Sequence, residues 1–314
     1  MTSAPNVSVV TPSFNQAPFL EQTIRSVLDQ GYPNLEYLVM DGGSTDGSVE
    51  IIKRYADRLA YWVSKPDGGQ AEAINHGWQR ATGEILAYLN SDDFYYPGAI
   101  LRAVDYLDRH PEVDILYGSE QTVDECGRRL GPIVTVPDFS LKWLLRYPLP
   151  QPTMFFRRAA FERVGWLDPS FHYVFDWEFN IRAAMAGMRI ARLDPPEVAA
   201  FRCWSGQKTS SSFDKHVAEQ LRMRDQLASR EAVSPQLVRE LRFSKAWAFL
   251  YPAYQYYLQG RMAEARRYLQ QAKAIDWRIA WHPEFTKIFV RSLLGRQVSG
   301  LARKAKSHVT GAVS

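Results

Sequence analysis

Cysteine is nearly absent from this sequence, which has only Cys126 and Cys203 among its 314 residues. Two thiols are too few for a disulfide framework, which excludes the disulfide-stapled secreted domains and favours a reducing compartment. Residues 1–6 lack a positively charged, apolar leader, so no signal peptide is expected. No apolar run reaches the roughly 18 residues that a membrane span needs. We therefore expect a cytoplasmic protein.

The sequence also lacks a large excess of charge of either sign. The chain has 38 Lys and Arg against 34 Asp and Glu, for a formal net charge of +4. So small an excess is compatible with an anionic substrate or a membrane surface but requires neither, and no nucleic-acid partner is expected. The hydrophobic fraction of 46% and the charged fraction of 23% are typical of a soluble globular protein with room for one large core and an appendage.

Short apolar runs alternate with helical patterns in the first part of the chain. Runs beginning at Val7, Glu36, Ala60 and Ile85 have the composition of buried strands, and apolar residues at helical spacing separate them. This alternation predicts a mostly parallel sheet with flanking helices. Ligands bind such sheets outside the carboxyl ends of the strands.

Polar residues follow the predicted strands at that edge. Thr11, Asp41 and Asp67 come after the first three strands, and Asp92 and Asp93 come after the fourth. Adjacent carboxylates repel each other in an empty site, but Mg²⁺ or Mn²⁺ would bind them and bridge them to the phosphates of a substrate. The alternative is that Asp92 and Asp93 only turn the chain and cap the next helix.

Seven ordered segments resemble a known family. They are residues 11–15 (TPSFN), 41–48 (DGGSTDGS), 67–70 (DGGQ), 90–93 (NSDD), 151–158 (QPTMFFRR), 165–168 (GWLD) and 175–182 (FDWEFNIR). Each segment alone is a weak signal, whereas the ordered set is specific and resembles family 2 glycosyltransferases of the GT-A fold over about residues 6–212. The resemblance implies a GT-A type, mostly parallel sheet and sugar transfer from a nucleotide-sugar donor to a hydroxyl acceptor. The Gln-x-x-Arg-Trp sequence of processive relatives is missing, so a non-processive enzyme is expected.

The resemblance also implies which residues bind the donor. Asp41 and Asp67 match positions that contact the nucleobase and ribose, because a carboxylate accepts from N–H and hydroxyl donors. Thr11 would assist from the end of the first strand, and Gln70 closes the loop that Asp67 begins. For Asp41 the alternative is a turn residue in an Asx motif.

The segment Asn90-Ser91-Asp92 stands where the family has an Asp-x-Asp element. Asn90 is a departure, because an amide can accept a ribose hydroxyl but brings no charge. The divalent metal, Mg²⁺ or Mn²⁺, is therefore assigned chiefly to Asp92, with Asp93 as a helper. So few protein ligands predict weak metal binding without the nucleotide, whose phosphates complete the shell.

Asp176 matches the family's general base, which takes the proton of the acceptor hydroxyl in a reaction that inverts the anomeric centre. Glu178 is the rival, and residues two apart do not share a helix face, so only one of the two is expected in the cleft. Arg202 and Lys208 are expected to clamp the diphosphate from a closing loop. The alternative for each cation is a solvated surface charge.

Two domains are expected, a catalytic region over residues 1–212 and a helical region over residues 213–314. Tyr257, Gly260 and Ala265 resemble part of one tetratricopeptide unit, but a true array needs about three repeats, so a helical cap is the alternative. Residues 287–306 mix apolar side chains with Arg and Lys. Such a basic amphipathic helix can lie on an anionic inner membrane or pack on the body with a solvated face.

The sequence thus predicts an inverting, metal-dependent glycosyltransferase of bacterial surface or extracellular polysaccharide or glycolipid assembly, with a carbohydrate or lipid-linked acceptor. Two alternatives remain. A sugar-phosphate nucleotidyltransferase usually has a Gly- and Lys/Arg-rich loop after the first strand, and residues 12–15 are not one. A non-catalytic helical adaptor with a degenerate nucleotide fold would have lost Asp92 or Asp176, and both are present.

Overall fold

The structure is a computed structural model that describes residues 5–194, 197–208, 213–230 and 233–293. The chain divides into two compact units, Met1–Ser211 and Ser212–Ser314. Both sheets belong to the first unit, and the described residues of the second unit are helical apart from their connections.

Within the described residues the first unit has ten strands and seven α-helices. The strands are β1 (Val7–Ser13), β2 (Leu35–Asp41), β3 (Tyr61–Ser64), β4 (Ile85–Tyr88), β5 (Phe94–Tyr95), β6 (Ile115–Tyr117), β7 (Glu120–Val123), β8 (Phe155–Arg157), β9 (Ile190–Arg192) and β10 (Ala199–Arg202). The helices are α1 (Ala17–Leu28), α2 (Ser48–Arg54), α3 (Gln70–Arg80), α4 (Ala99–Arg109), α5 (Leu141–Leu144), α6 (Arg158–Val164) and α7 (Phe175–Met185).

The larger sheet has seven strands in the order β3-β2-β1-β4-β8-β6-β9. Strands β1 to β4 are mutually parallel where they pair, and β8 runs antiparallel to both β4 and β6. The second sheet has three strands in the order β5-β10-β7. The predicted mostly parallel sheet with flanking helices is confirmed.

Strand β1 is central, and all seven of its residues are buried. Burial on both faces requires helices on both sides, and this is why its sequence is apolar without strict alternation. Leu20, Ile24 and Val27 of α1 are fully buried in the core with Val9. On α3, Gly77 allows a close approach, because a Cβ there would lie 2.6 Å from the Val10 side chain.

The parallel half of the sheet brings four loops to one edge. The register pairs Ser13 with Asp41 and Asp41 with Ser64, so β1, β2 and β3 end level with one another. Tyr88 ends β4 at the same edge, because Val10 is its partner on β1. The loops that follow these strands therefore meet, as sheets of this kind require for ligand binding.

The second unit contains α8 (Phe213–Ala228), α9 (Pro235–Trp247), α10 (Leu250–Leu258) and α11 (Met262–Ile275), and the chain is helical again over residues 283–293. Ala265, Leu269 and Ala272 of α11 are buried in one core, as their spacing predicts. Gly260 turns the chain between α10 and α11 at a φ of 81°. The predicted helical C-terminal region is confirmed, and its likeness to a tetratricopeptide unit stays a prediction.

The predicted basic amphipathic helix is described only in part. Residues 287–293 belong to the last described helix, whereas residues 294–306 lie outside the described residues. None of the described helices is both long enough and apolar enough to cross a bilayer.

Candidate active site

A cavity of about 900 Å³ opens at the carboxyl edge of the parallel strands. Its walls come from the loops after β1 to β4, from the start of α7 and from the segment after β10. Side chains with hydrogen-bonding, charged or aromatic groups dominate the lining, among them Phe14, Asp67, Gln70, Asn90, Asp92, Gln151, His172, Asp176, Trp204 and Lys208. The cavity thus collects six of the eleven predicted site residues.

Asp41 lies beneath the cavity and shapes its floor. Its carboxylate is 1% exposed and accepts hydrogen bonds from the Ser44 backbone N–H at 2.9 Å and from the Ser64 hydroxyl at 2.7 Å. Gly42 and Gly43, rather than Asp41 itself, line the cavity. The side chain therefore fixes the turn after β2, as the Asx alternative describes.

Asp67 reaches the cavity and Thr11 does not. The Asp67 carboxylate accepts from Gly69 N at 2.8 Å, and partial burial raises its pKa. Thr11 is fully buried and shares a 2.9 Å hydrogen bond with the Tyr37 hydroxyl, inside the sheet. Of these two predicted donor contacts, only Asp67 is in a position to touch a ligand directly.

A chain of amides crosses the cavity wall at Asn90. The Gln70 amide donates to Asn90 Oδ1 at 2.6 Å, Asn90 donates to Gln151 Oε1 at 2.7 Å, and Gln151 donates to the Tyr88 carbonyl at 3.1 Å. Asn90 and Gln151 each accept through the amide oxygen from one neighbour and donate through the amide nitrogen to the next. A neutral residue at position 90 suits this chain, because a carboxylate there would face the Gln151 oxygen.

Asp92 is the acid of the pair that faces the cavity. Its Oδ2 accepts from the Trp204 indole N–H at 2.9 Å. Burial raises the pKa of Asp92, while the Trp204 hydrogen bond and the Arg202 charge act in the opposite direction. Trp204 packs over Gly206, where a Cβ would lie 2.1 Å from the indole ring, so only glycine fits beneath it.

Asp93 and Arg202 point away from the cavity and are 1% and 2% exposed. Asp93 Oδ1 accepts from the Arg202 backbone N–H at 2.9 Å, and burial together with the Asp92 charge raises its pKa well above the usual range. The Arg202 guanidinium donates to the carbonyls of Asp92 and Glu125 and to Gln22. Both side chains hold β10 against the loop after β4, so the structure does not bring them to a ligand.

The first turn of α7 separates the two rival acids. Asp176 lines the cavity, whereas Glu178 is buried and accepts from the Arg182 guanidinium at 2.9 Å. Burial raises the pKa of Asp176 to about 6, against opposing effects of backbone N–H groups and the Lys208 charge. Lys208 lines the same cavity, with its Nζ 5.3 Å from the centre of the Tyr173 ring.

The side chains of the cavity suit a metal ion that is coordinated partly by the protein and partly by a bound ligand. Among the described residues no group of three His, Cys, Asp or Glu side chains gathers to bind a metal. Asp92 offers a carboxylate to the cavity with one oxygen bonded to Trp204, and oxygen is the ligand atom that Mg²⁺ and Mn²⁺ prefer. These residues fit an ion whose shell a diphosphate completes.

Two residues were given no role by the sequence. Gln151 anchors the amide chain, and the only signal for it was its place at the start of the segment 151–158. Tyr88 lines the cavity from the last position of β4, where the apolar pattern indicates a core residue. Its position directly before the polar loop was the signal that could have found it.

The fold is an α/β sheet with a polar cavity at the carboxyl edge of its parallel strands, and comparison with known proteins identifies the family. The model of glycosyl transferase family 2 matches residues 8–165, so the chain belongs to glycosyltransferase family 2. An uncharacterized glycosyltransferase of Mycobacterium tuberculosis is 37% identical over 190 residues, which cover 59% of this chain and 71% of that protein. One of Rickettsia typhi is 29% identical over 185 residues, which cover 56% of this chain and 58% of that protein. The chain is therefore a transferase.

Solved structures share the GT-A fold. Residues 1–349 of TarS from S. aureus, in complex with UDP-GlcNAc, have a TM-score of 0.65 and 19% identity, and the match covers 86% of this chain and 83% of TarS 1–349. The mannosyltransferase PcManGT from Pyrobaculum calidifontis, in complex with GDP-Man and Mn²⁺, has a TM-score of 0.61 and 20% identity over 93% of this chain and 85% of that protein. The GT-A prediction is confirmed.

Proposed function

We propose that the protein is an inverting, metal-dependent glycosyltransferase that moves a sugar from a nucleotide-sugar donor to a hydroxyl acceptor. The observation that carries the proposal is the position of Asp176. It is the one of the two acids in the first turn of α7 that opens into the cavity. Its pKa of about 6 leaves it ionised at neutral pH yet basic enough to accept a proton.

The nucleotide of the donor fits the end of the cavity formed by Phe14, Gly42 and Asp67. Phe14 is 61% exposed and offers a ring face for a base, and the Asp67 carboxylate accepts from base N–H or ribose hydroxyl groups. Solved structures of the same fold hold UDP-GlcNAc and GDP-Man, which supports a nucleotide-sugar donor of either base.

The diphosphate of the donor would lie between Asp92 and Lys208. Asp92 would hold a divalent cation, which would supply positive charge against the departing diphosphate. Lys208 adds a positive charge from the cavity lining, and the Trp204 indole fixes the orientation of the Asp92 carboxylate. The Mn²⁺ in the mannosyltransferase complex supports this cofactor class.

The residues of the cavity have distinct roles in the proposed reaction. The acceptor hydroxyl lies against the Asp176 carboxylate, which removes its proton as the oxygen attacks the anomeric carbon. The bond from that carbon to the diphosphate oxygen breaks on the opposite face, so the anomeric configuration inverts. Glu178 takes no part in this step, because its carboxylate is paired with Arg182.

The acceptor is proposed to be a carbohydrate or a lipid-linked sugar in bacterial surface or extracellular polysaccharide or glycolipid assembly. The relatives from Mycobacterium and Rickettsia are bacterial proteins, which supports a bacterial setting. We also propose peripheral contact with the inner membrane through the basic second unit, whose charge supports it as described below.

The test is release of nucleoside diphosphate from a panel of nucleotide sugars with Mn²⁺. Asp176→Asn should lower turnover by about 10²–10⁴-fold with little change in donor affinity. Asp92→Asn should remove the stimulation by Mn²⁺. Asp108→Asn, an exposed acid on α4, is the matched control and should retain wild-type turnover. Normal turnover of Asp176→Asn, or a product that keeps the donor's configuration, would contradict the mechanism.

A further inference from the structure

Tyr88 carries a buried hydroxyl that no group in the described part of the chain satisfies. The side chain is 1% exposed, and its Oη has no hydrogen-bond partner among the described residues. Its ring packs edge-on against Trp78 at a centroid distance of 5.5 Å and lies 6.3 Å from the Phe175 ring. These contacts fix the ring, so the hydroxyl has a defined direction.

The surroundings of this hydroxyl belong to the catalytic cavity. Tyr88 lines the cavity together with Phe175 and Asp176. Burial raises the pKa of Tyr88 well above its usual range, and the charges of Asp176 and Asp93 raise it further. Tyr88 therefore shares the cavity with the carboxylate on which the proposed mechanism depends, and its ring lies beside that of Phe175, the residue before Asp176.

Stability alone does not account for a tyrosine at this position. A buried hydroxyl without a partner destabilises the folded state, since it loses its hydrogen bond to water on folding. Phenylalanine would fill the same space between Trp78 and Phe175 without that cost. The hydroxyl is thus better explained by a partner that is present only in the working site.

We propose that Tyr88 is a positioning residue for Asp176, and that its hydroxyl donates a hydrogen bond to one cavity water that in turn donates to the Asp176 carboxylate. The proposal rests on the proposed role of Asp176 as the base. A donor to the carboxylate holds its orientation and favours the ionised form. The Trp177 backbone N–H already donates to Oδ1 at 2.8 Å, so a second donor fixes the carboxylate more fully.

Other titratable groups face the same space and define what the pH profile reports. Lys208 approaches from the segment after β10, His172 precedes α7, and Asp92 follows β4, all as lining residues. The charge of Asp93, which lies outside the cavity lining, also raises the pKa of Tyr88. Each of these groups is unchanged in a Tyr88→Phe variant, so a shifted acid limb in that variant reports the loss of the hydroxyl.

The experiment compares Tyr88→Phe with a second buried tyrosine. Tyr95 is 3% exposed, its Oη also lacks a partner among the described residues, and it stacks on Phe155 away from the cavity lining. Both variants should unfold at the same temperature as the wild type or higher. Tyr88→Phe should lower kcat about tenfold, leave the KM of donor and acceptor unchanged, and move the acid limb to higher pH. Tyr95→Phe should keep wild-type kinetics.

A double variant separates this proposal from the proposed function. If Tyr88 acts through Asp176, adding Tyr88→Phe to Asp176→Asn should lower kcat no further. Unchanged kcat in Tyr88→Phe while Asp176→Asn is inactive would overturn the positioning role alone. A raised KM at constant kcat, or an additive loss in the double variant, would also overturn it. Full activity of Asp176→Asn would instead remove the base on which the proposal rests.

Discussion

Asp92 and Asp93 are adjacent in the chain and lie in opposite environments. Asp92 faces the cavity with Trp204 on one oxygen, whereas Asp93 is enclosed against the Arg202 backbone N–H. Burial and the Asp92 charge raise the pKa of Asp93, and burial also raises the pKa of Asp92. The pair therefore presents one carboxylate to a ligand, and the other acid serves as a structural hydrogen-bonding group.

Asp176 leads to a prediction about pH. Its folded pKa of about 6 lies above the ordinary value of 3.8 because of burial. The base must be ionised to accept a proton, so kcat/KM should fall as the pH drops below about 6. Initial rates between pH 4.5 and 8 measure this limb. A rate that stays constant down to pH 4.5 would contradict the assignment.

The same shift predicts the sign of a stability difference. A raised folded pKa means that the ionised carboxylate destabilises the fold above pH 6, and the effect vanishes below the unfolded pKa of about 4. Asp176→Asn should therefore melt at or above the wild-type temperature at pH 8, and the difference should shrink toward pH 4. Thermal unfolding of both proteins at the two pH values checks this expectation.

The sequence pattern located the sheet edge but not the direction of each side chain there. The strand ends predicted where Asp67 and Asp92 would be found, the resemblance indicated Asp176, and all three line the cavity. Thr11 and Asp41 lie near strand ends at the same edge, but their side chains are hydrogen-bonded inside the protein. Thr11 pairs with the Tyr37 hydroxyl, and Asp41 accepts from the Ser64 hydroxyl. Such partners come from other strands, so one segment read alone cannot reveal them. The roles of all these residues in transfer stay predictions.

Helix α7 combines a functional and a structural acid within one turn. Asp176 and Glu178 are two positions apart, so they project to different sides of the helix. The Glu178 side binds Arg182, whose guanidinium also donates to the carbonyls of Val164 and Trp166. This buried pair ties α7 to the loop after α6 and thereby sets where Asp176 enters the cavity.

Breaking that pair should change stability more than chemistry. Glu178→Gln leaves the Arg182 charge buried without its counter-charge, and loss of one partner in a buried pair costs about 3–5 kcal/mol. We expect a large fall in the free energy of unfolding, measured by urea titration, with kcat of the remaining folded protein within a few-fold of wild type. Glu112→Gln, an exposed acid, is the control. A stable but inactive Glu178→Gln protein would mean that the catalytic roles are reversed.

The positions of side chains around the end of β10 were harder to predict from the sequence than those after the first four strands. Lys208 occurs in a polar, small-residue stretch and Arg202 lies just before it, so the sequence predicted the same role for both. Arg202 is still part of β10 and is enclosed by backbone carbonyls, whereas Lys208 lies beyond Gly206 and reaches the cavity. The difference depends on where the strand ends, and a strand of four residues has little local signal. Residues 209–212 of the predicted loop lie outside the described residues.

At the scale of the whole molecule, charge is divided unevenly between the two units. Residues 213–314 contain 18 Lys and Arg against eight Asp and Glu, whereas residues 1–212 contain 20 against 26. The small overall charge of +4 therefore combines a unit of net charge +10 with one of −6. The acidic unit holds the cavity, and the basic unit has the charge that an anionic surface attracts.

This division argues for membrane contact through the second unit. Trp277 and Trp281 are 65% and 80% exposed there, and Leu293 is 59% exposed at the end of the described helix. Tryptophan favours the bilayer interface, and Lys and Arg favour anionic lipid, so these side chains suit a peripheral contact. The basic residues beyond Leu293 add to the charge, although they lie outside the described residues.

The last prediction is that the intact protein binds anionic vesicles at low salt and does not bind neutral ones. Neutralising Arg303, Lys304 and Lys306 should weaken the binding by about 1 kcal/mol per charge, because each basic group near an anionic surface contributes that amount. Neutralising the exposed Arg25, Lys53 and Arg109 of the first unit is the matched control and should leave binding unchanged. Cosedimentation with vesicles measures both effects, and added salt should reduce the wild-type binding toward that of the basic-residue variant. If the wild type stays in solution with anionic vesicles at low salt, the positive charge of the second unit serves its solubility, and membrane contact is wrong.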